Sequence, residues 1–126
     1  MTEKAGPDDS LPSRFSDLWS LDVHFSDIPW RPFAEGVEIF PLRQESDGAV
    51  KAALLRNAAG ATVERHRHAG YEYLLVLSGQ ESDENGDYDA GTLVINPPGS
   101  SHEVRSQSGN IVLAIWEKPV VFLNPR

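Results

Sequence analysis

The chain has no cysteine among its 126 residues. This absence excludes a disulfide framework and a thiolate zinc site, so any metal ion must be held by nitrogen and oxygen atoms. No apolar run approaches the length of about 18 residues that a transmembrane helix needs. The N-terminal stretch MTEKAGPDDS is acidic and lacks the apolar core of a secretory signal. We therefore expect a cytoplasmic protein that does not enter a membrane.

Basic residues are scarce. Eleven lysines and arginines stand against 19 acidic residues, the formal net charge is −8, and no basic run occurs. Proteins that bind nucleic acid neutralise phosphates with clustered lysine and arginine. The composition therefore argues against a nucleic-acid partner, and the acidic balance mainly favours solubility.

From Val37 onward, short apolar runs alternate with turn signals. This spacing is typical of an all-β sandwich or barrel. Asn85-Gly86 is a strong hairpin dipeptide, because both central residues of a type I′ turn need a positive φ, and Gly109-Asn110 is a second candidate. The apolar runs are VEIFPL, VKAALL, ATVERH, YEYLLVL, GTLVIN, HEVRS and IVLAIW.

The length suits one domain. Residues 1–14 are polar and predict a flexible tail, and residues 15–126 predict a single domain. Within that domain, residues 15–35 form an arm rich in aromatic side chains, which Pro29 and Pro32 prevent from being a long helix. The arm needs a surface to pack on, either its own barrel or a second subunit. The barrel is expected over about residues 36–122.

Asp83, Asn85 and Asp87 alternate like the start of an EF-hand loop, which needs glycine at its sixth position and glutamate at its twelfth. The chain has Tyr88 and Val94 there, so a hairpin turn is the better interpretation. The sequence also contains no Gly-x-Ser-x-Gly elbow, phosphate loop or dinucleotide fingerprint.

The run GATVERHRHAGYEYLLVLSG places two histidines and a glutamate against a core-like strand. His66 and His68 point to the same side of a strand, because side chains alternate with period two. Glu72 follows after a turn and opens the next strand. If this polar face points into the barrel, burying it without partners costs several kcal/mol for each group. A divalent cation removes that penalty, and His102, after the turn NPPGSS, is the natural fourth ligand.

These residues resemble the two motifs of the cupin family. Every position of both motifs matches except the last, where Ser106 replaces asparagine. The first motif reads Gly60, five residues, His66-Arg67-His68, three residues, Glu72, six residues, Gly79. The second reads Gly91, five residues, Pro97-Pro98-Gly99, two residues, His102, three residues, Ser106. The resemblance implies a double-stranded β-helix, or jelly-roll barrel, with the N-terminal arm added to it.

Within the cupins the chain most resembles the ChrR-like group. The stretches that carry this finer match are WRPFAEGVEIFPL, HRHAGYEYLLVLSG, SDENGDYDAGT and NPPGSSH. That group commonly has a second carboxylate directly after the motif glutamate, and this chain has Tyr73 there. Full-length ChrR proteins also carry an N-terminal zinc-binding anti-sigma domain. This chain has no cysteine and few residues before the barrel, so it resembles a stand-alone, single-domain member.

The resemblance implies one divalent transition metal per chain, zinc or iron first and manganese, nickel or cobalt as alternatives. It also implies a small-molecule ligand or substrate, and a homodimer in which the arm packs across a second protomer. One function is a metal-dependent dioxygenase acting on a small dicarbonyl or phenolic ketone. The alternative is a non-enzymatic, zinc-binding sensor or ligand-binding cupin of the ChrR type.

No residue beyond the metal ligands is assigned to catalysis. Ser106, Tyr71 and Arg105 are candidates for the lining of the pocket. The fourth histidine, His24, lies in the aromatic arm without a ligand pattern and is expected to be structural or on the surface.

Overall fold

The computed structural model describes residues 2–3, 12–21 and 27–123. His24 and most of the predicted flexible tail lie outside these ranges. The described residues form β-strands and one short 3-10 helix at Leu18–Ser20. The strands are β1 (Thr2–Glu3), β2 (Arg14–Phe15), β3 (Arg31–Ala34), β4 (Val37–Gln44), β5 (Val50–Asn57), β6 (Ala61–Arg67), β7 (Glu72–Asp83), β8 (Gly86–Asp89), β9 (Leu93–Asn96), β10 (Ser101–Ser106), β11 (Asn110–Trp116) and β12 (Val121–Phe122).

Ten of these strands form one curled antiparallel sheet. Its order is β12-β6-β10-β7-β11-β5-β4-β3, and β8 and β9 both pair with β7. The long strand β7 serves two halves of the sheet, because its first half pairs with β11 and β9 and its last residues pair with β10 and β8. The all-β barrel expected from the sequence is confirmed.

The curl depends on a break in the middle of β7. A register shift opposite Ile111 and Val112 places an extra residue in β7, and a bulge of this kind bends a strand. Gly79 follows with φ of +73°, and a Cβ atom there would collide with the carbonyl oxygen of Gly109. Only glycine satisfies both conditions.

The two faces of the sheet carry separate apolar clusters. Leu74 and Val76 point into the barrel and pack with Val112 and Ala114. The side of the sheet that lies under the arm carries the other cluster, which consists of Leu21, Ile28, Leu54, Leu77 and Ile111. Strand β7 is therefore buried on both sides, as its continuous apolar run predicts.

The described part of the arm packs on its own barrel. Leu21 and Ile28 are buried against Leu54 of the sheet. Full burial of an aliphatic side chain contributes about 1.5–3 kcal/mol. The resemblance implied an arm that packs across a second protomer, whereas Leu21 and Ile28 pack on the sheet of their own chain.

The hairpin predicted at Asn85-Gly86 is present, but its turn is one residue earlier. Asp83 pairs with Gly86, so Glu84 and Asn85 are the central residues. Among the described residues outside glycine, only Asp17 has a positive φ, so the turn is not type I′. The carboxylate of Asp83 accepts a hydrogen bond from the Asn85 amide and stabilises the turn locally. Among the described residues, no helix is long and apolar enough to span a membrane.

Candidate metal centre

Three neighbouring strands bring the predicted ligand residues together. His66 lies near the end of β6 and pairs directly with His102 on β10. His68 follows β6 by one residue, and Glu72 is the first residue of β7. All four side chains are buried, between 1% and 4% exposed.

The three imidazole rings form a compact cluster. The centroid of the His102 ring lies 4.6 Å from that of His66 and 4.7 Å from that of His68. One ring nitrogen from each histidine lies within 4.8 Å of the other two, and the three-histidine group so defined does not include Glu72. The Nε2 atoms of His66 and His102 are 3.0 Å apart. The cluster is therefore close enough to bind a metal ion.

The hydrogen-bond partners fix the tautomers of His66 and His102. The Nδ1 atom of His66 lies 2.8 Å from the carbonyl oxygen of Glu64, which can only accept. The Nδ1 atom of His102 lies 2.9 Å from the carboxylate of Asp83. Each Nδ1 must therefore carry the proton, so a neutral ring presents a lone pair at Nε2. Two lone pairs at 3.0 Å repel each other unless a proton or a cation lies between them.

His68 has the same arrangement through a hydroxyl group. Ser100 Oγ donates its only proton to the carbonyl oxygen of Pro97, so it accepts from His68 Nδ1 at 2.9 Å. The Nε2 atom of His68 is buried without a hydrogen-bond partner among the described residues. It lies 3.2 Å from Oε1 of Glu72, and it could donate to that carboxylate only if the ring were an imidazolium. A neutral His68 therefore presents an unshared lone pair at Nε2, which a bound cation could accept.

Glu72 is held from two sides. Asn96 donates to its Oε1 at 2.9 Å, and the indole of Trp116 donates to its Oε2 at 2.7 Å. Burial alone would raise the pKa of Glu72, but the nearby imidazole of His68 and the hydrogen bond from Trp116 outweigh burial and lower it. Glu72 is therefore an ionised, oriented carboxylate beside the histidine cluster.

Asp83 is a part of this site that the sequence reasoning missed. One carboxylate oxygen accepts from His102, and the other accepts from the hydroxyl of Tyr88 at 2.8 Å. Burial would raise the pKa of Asp83, but the hydrogen bonds from His102, Asn85 and Tyr88 outweigh it and lower the pKa. The sequence pattern indicates only a turn residue at Asp83. Strict alternation from Glu72 would place Asp83 on the opposite face of β7, and the extra residue in the middle of that strand turns it inward.

The three predicted pocket residues lie in different environments. Ser106 is 1% exposed, and its Oγ lies 3.5 Å from the carbonyl oxygen of Gln80. Tyr71 is 40% exposed and stacks on Tyr73, and Arg105 is exposed on β10. Their roles stay predictions. The ring of Phe122, which no pattern singled out, lies 5.7 Å from that of His66 and covers it from the side of β12.

The donor set fits a divalent transition metal. The histidines offer unprotonated Nε2 atoms, and the partners at Nδ1 are the kind that orient metal-binding imidazoles. The Nε2 atom of His68 is buried without a hydrogen-bond partner, and the Nε2 lone pairs of His66 and His102 face each other at 3.0 Å. A cation bound among these atoms would accept the lone pairs and remove both unfavourable contributions.

A curled antiparallel barrel with this histidine cluster inside defines a cupin. Residues 20–121 match the ChrR Cupin-like domain family, and the chain belongs to that family. No curated protein matches the sequence.

Solved structures agree with this assignment. A chain from the complex of Rhodobacter sphaeroides SigE with the anti-sigma ChrR is 29% identical, with 89% of this chain and 61% of that chain covered and a TM-score of 0.66. An acetylacetone dioxygenase from Acinetobacter johnsonii is 16% identical, with 97% and 82% covered and a TM-score of 0.71. A cupin-like protein of unknown function from Ralstonia eutropha JMP134 is 22% identical, with 71% and 59% covered and a TM-score of 0.59. This chain thus spans about three fifths of the length of the Rhodobacter and Ralstonia chains.

Proposed function

We propose that the protein is a metal-binding cupin in which His66, His68, His102 and Glu72 hold one divalent transition metal. The observation that carries this proposal is the convergence of three Nε2 lone pairs, each enforced by a partner at Nδ1. A ligand set of nitrogen and carboxylate oxygen suits zinc and iron(II), and also manganese, nickel and cobalt.

We further propose that the centre serves a dioxygenase acting on a small dicarbonyl or phenolic ketone. The similarity in fold to an acetylacetone dioxygenase supports this choice. A bound iron(II) ion would supply Lewis acidity and a route for electrons between an oxygen-chelating substrate and O₂. The chain contributes orientation: Asp83 fixes the ring of His102, and Asn96 and Trp116 fix Glu72. The apolar interior around Val76 and Val112 excludes water.

A second candidate is a zinc-binding sensor or ligand-binding cupin without catalytic activity. The higher identity to the ChrR complex favours it. Four protein ligands complete the tetrahedral shell of zinc, and closed shells of this kind are usually structural. The two candidate functions therefore differ in the identity of the metal and in whether the metal keeps coordination positions open for a substrate.

Metal analysis of protein purified without added metal separates the two candidates. If the protein is a dioxygenase, we expect it to contain iron and to consume oxygen in the presence of acetylacetone. The oxygen consumption should be lost in His66→Ala. Arg67→Ala is the matched control, because Arg67 lies between His66 and His68 in the sequence and is exposed. Stoichiometric zinc without turnover supports the sensor. Turnover that persists in the metal-free protein contradicts the dioxygenase.

We also propose a homodimer. A row of three apolar side chains crosses β9, β7 and β11 and consists of Ile95, Tyr73 and Ile115. Both isoleucines are about half exposed. Such a row of exposed apolar side chains is a suitable surface for a second copy. Light scattering on the full chain, on Ile115→Lys and on a chain without residues 1–35 tests this proposal. A monomeric full chain contradicts it. The cytoplasmic location stays a prediction.

A further inference from the structure

A wide groove lies between the two ends of the sheet, apart from the proposed centre. Strands β3 and β12 are these two ends, and within the described part of the chain each pairs on one side only. Both contribute to the groove, together with the β3–β4 turn, the β5–β6 turn and the first half of β6. The groove has a volume of about 930 Å³. Small-molecule sites usually have about 300–1,000 Å³, so the groove has the size of a ligand site.

The walls of the groove are largely apolar and open to solvent. Phe33 of β3 is 53% exposed and Phe122 of β12 is 42% exposed, although burial of large aromatic side chains is favourable. Val37, Ala61 and Val63 add aliphatic surface to the same groove. An exposed apolar surface that combines several elements in this way is typical of a binding site.

The charged side chains that line the groove are all acidic. They are Glu35, Glu64 and Glu103, and no lysine, arginine or histidine of the described ranges lines it. The carboxylates of Glu35 and Glu103 make no hydrogen bond or ion pair with any residue that the structure describes. Arg65, which follows Glu64 in the sequence, pairs with Glu84 instead. A positively charged ligand therefore complements the groove, and an anion is repelled.

The strand edges beside the groove are poorly suited to a peptide. An extended peptide binds a sheet edge through a row of main-chain hydrogen bonds. However, β12 has two residues, and β3 has four, of which Pro32 lacks an amide proton. Short edge strands and prolines hinder such pairing. A second copy of the chain is also disfavoured, because it would bring a net charge of −8 to an acidic surface. These features favour a small molecule as the occupant.

We propose that the groove binds a small organic cation with an apolar body. The apolar body contacts the rings of Phe33 and Phe122, which also attract a cation. The ammonium group lies beside Glu35 and Glu103, whose carboxylates accept charge-assisted hydrogen bonds. The ring of Phe122 lies 5.7 Å from that of His66, so the groove and the metal centre share one wall. None of the four proposed metal ligands lines the groove, so this site does not depend on the proposed function.

The test uses compounds that share a phenyl group and a short linker but differ in charge. Phenethylamine is a cation at neutral pH, phenethyl alcohol is neutral and hydrocinnamate is an anion. Each compound is titrated into the isotope-labelled full chain as purified, and binding is followed by NMR chemical shifts. We expect the amine to shift the amides of residues 33–37 and 58–64, which line the groove. The amine should bind about tenfold more tightly than the alcohol, and the anion should not bind.

A double variant with matched controls tests the two carboxylates. Glu35→Gln combined with Glu103→Gln removes both charges but keeps the shape of the groove, so the affinity for the amine should fall about tenfold and the affinity for the alcohol should stay the same. Glu38→Gln makes the same change at a carboxylate that pairs with Arg56 and does not line the groove. It should change neither affinity.

Four results would overturn the proposal. Equal affinities of the native protein for the amine and the alcohol would show that charge does not select the ligand. Shifts confined to the amides around His68 and Glu72 would place the amine at the metal centre. A basic, apolar pentapeptide that binds much more tightly than the amine would assign the groove to a protein partner. Shifts of the groove amides that depend on protein concentration, without added ligand, would assign it to a second copy.

Discussion

Asp83 accepts a hydrogen bond from Nδ1 of His102 at 2.9 Å, although the two residues lie on different strands and 19 positions apart in the chain. The carboxylate holds the ring in the tautomer that presents Nε2 to the cluster and makes that nitrogen more basic. Because Tyr88 and the Asn85 amide bind its other oxygen, Asp83 is itself held in place. Strand β7 thus supports the site at both ends, through Glu72 at the start and Asp83 at the finish.

Replacing Asp83 by asparagine should weaken metal binding. Loss of a carboxylate partner of a metal-binding histidine typically costs about 10–100-fold in affinity, and we expect a dissociation constant raised by that factor in a competition assay with a chromogenic chelator. Asp87→Asn is the control, since the exposed carboxylate of Asp87 accepts a hydrogen bond from Ser82 and lies on the exposed side of the β7–β8 hairpin. Equal affinities for the two variants would show that Asp83 does not act on the centre.

Replacing Trp116 by phenylalanine should loosen Glu72. The substitution keeps most of the ring but removes the indole N–H that lies 2.7 Å from Oε2. A hydrogen bond to a charged group contributes about 1.5–3 kcal/mol, so the free energy of unfolding, measured in urea, should fall by about that amount. Trp19→Phe should change it by less than about 0.5 kcal/mol, because Trp19 is 63% exposed. A Trp116→Phe protein as stable as Trp19→Phe contradicts the prediction.

Lowering the pH should release the metal. Burial lowers the pKa of His66 below its ordinary value. Below about pH 6.5 the unfolded chain therefore binds more protons at this position than the folded protein, and the free energy of unfolding falls as the pH falls. Metal binding needs neutral imidazoles. We expect full occupancy at neutral pH and loss well below about pH 6.5, measured as metal content after dialysis. Occupancy that is unchanged at about pH 4 excludes ligation by three histidines.

Replacing Leu21 by alanine should lower the free energy of unfolding, because Leu21 anchors the arm on the sheet. The side chain is 1% exposed and packs in the cluster of Leu54 and Leu77. Leu→Ala at such a position costs about 2–5 kcal/mol, which thermal or urea unfolding would detect. Leu123→Ala is the control, because Leu123 is 42% exposed, and its effect should stay within about 0.5 kcal/mol. If Leu21→Ala lowers the free energy of unfolding no more than Leu123→Ala does, packing of the arm does not contribute to stability.

Much of the fold could be predicted because its signals are local. Alternating apolar runs and turn dipeptides depend on neighbouring residues, and so the strands from Val37 onward were found. The turn at Glu84 and Asn85 was placed one residue too late, because Asp83 stabilises it with a side-chain hydrogen bond that no dipeptide rule includes. The arm was expected to pack across a second protomer, but Leu21 and Ile28 pack on their own sheet. Aromatic content indicates that a segment must be buried, but it does not indicate which surface buries it.

The residues of the site also fall into a group that the sequence predicts and a group that only the fold brings in. His66, His68 and Glu72 are close in sequence, and a strand and a tight turn suffice to bring them together. The supporting residues Asp83, Asn96 and Trp116 are ordinary turn or strand residues in the sequence. Only strand pairing brings Asn96 opposite Glu72 and carries Trp116 to the same place.

The sequence by itself determined an all-β chain with a metal-binding pattern, because periodicity and ligand spacing are properties of short stretches. The tertiary structure alone decided which nitrogen of each histidine faces the centre. Tautomers and protonation states depend on the groups that burial brings within about 3 Å, and in this protein those groups come from strands distant in the chain.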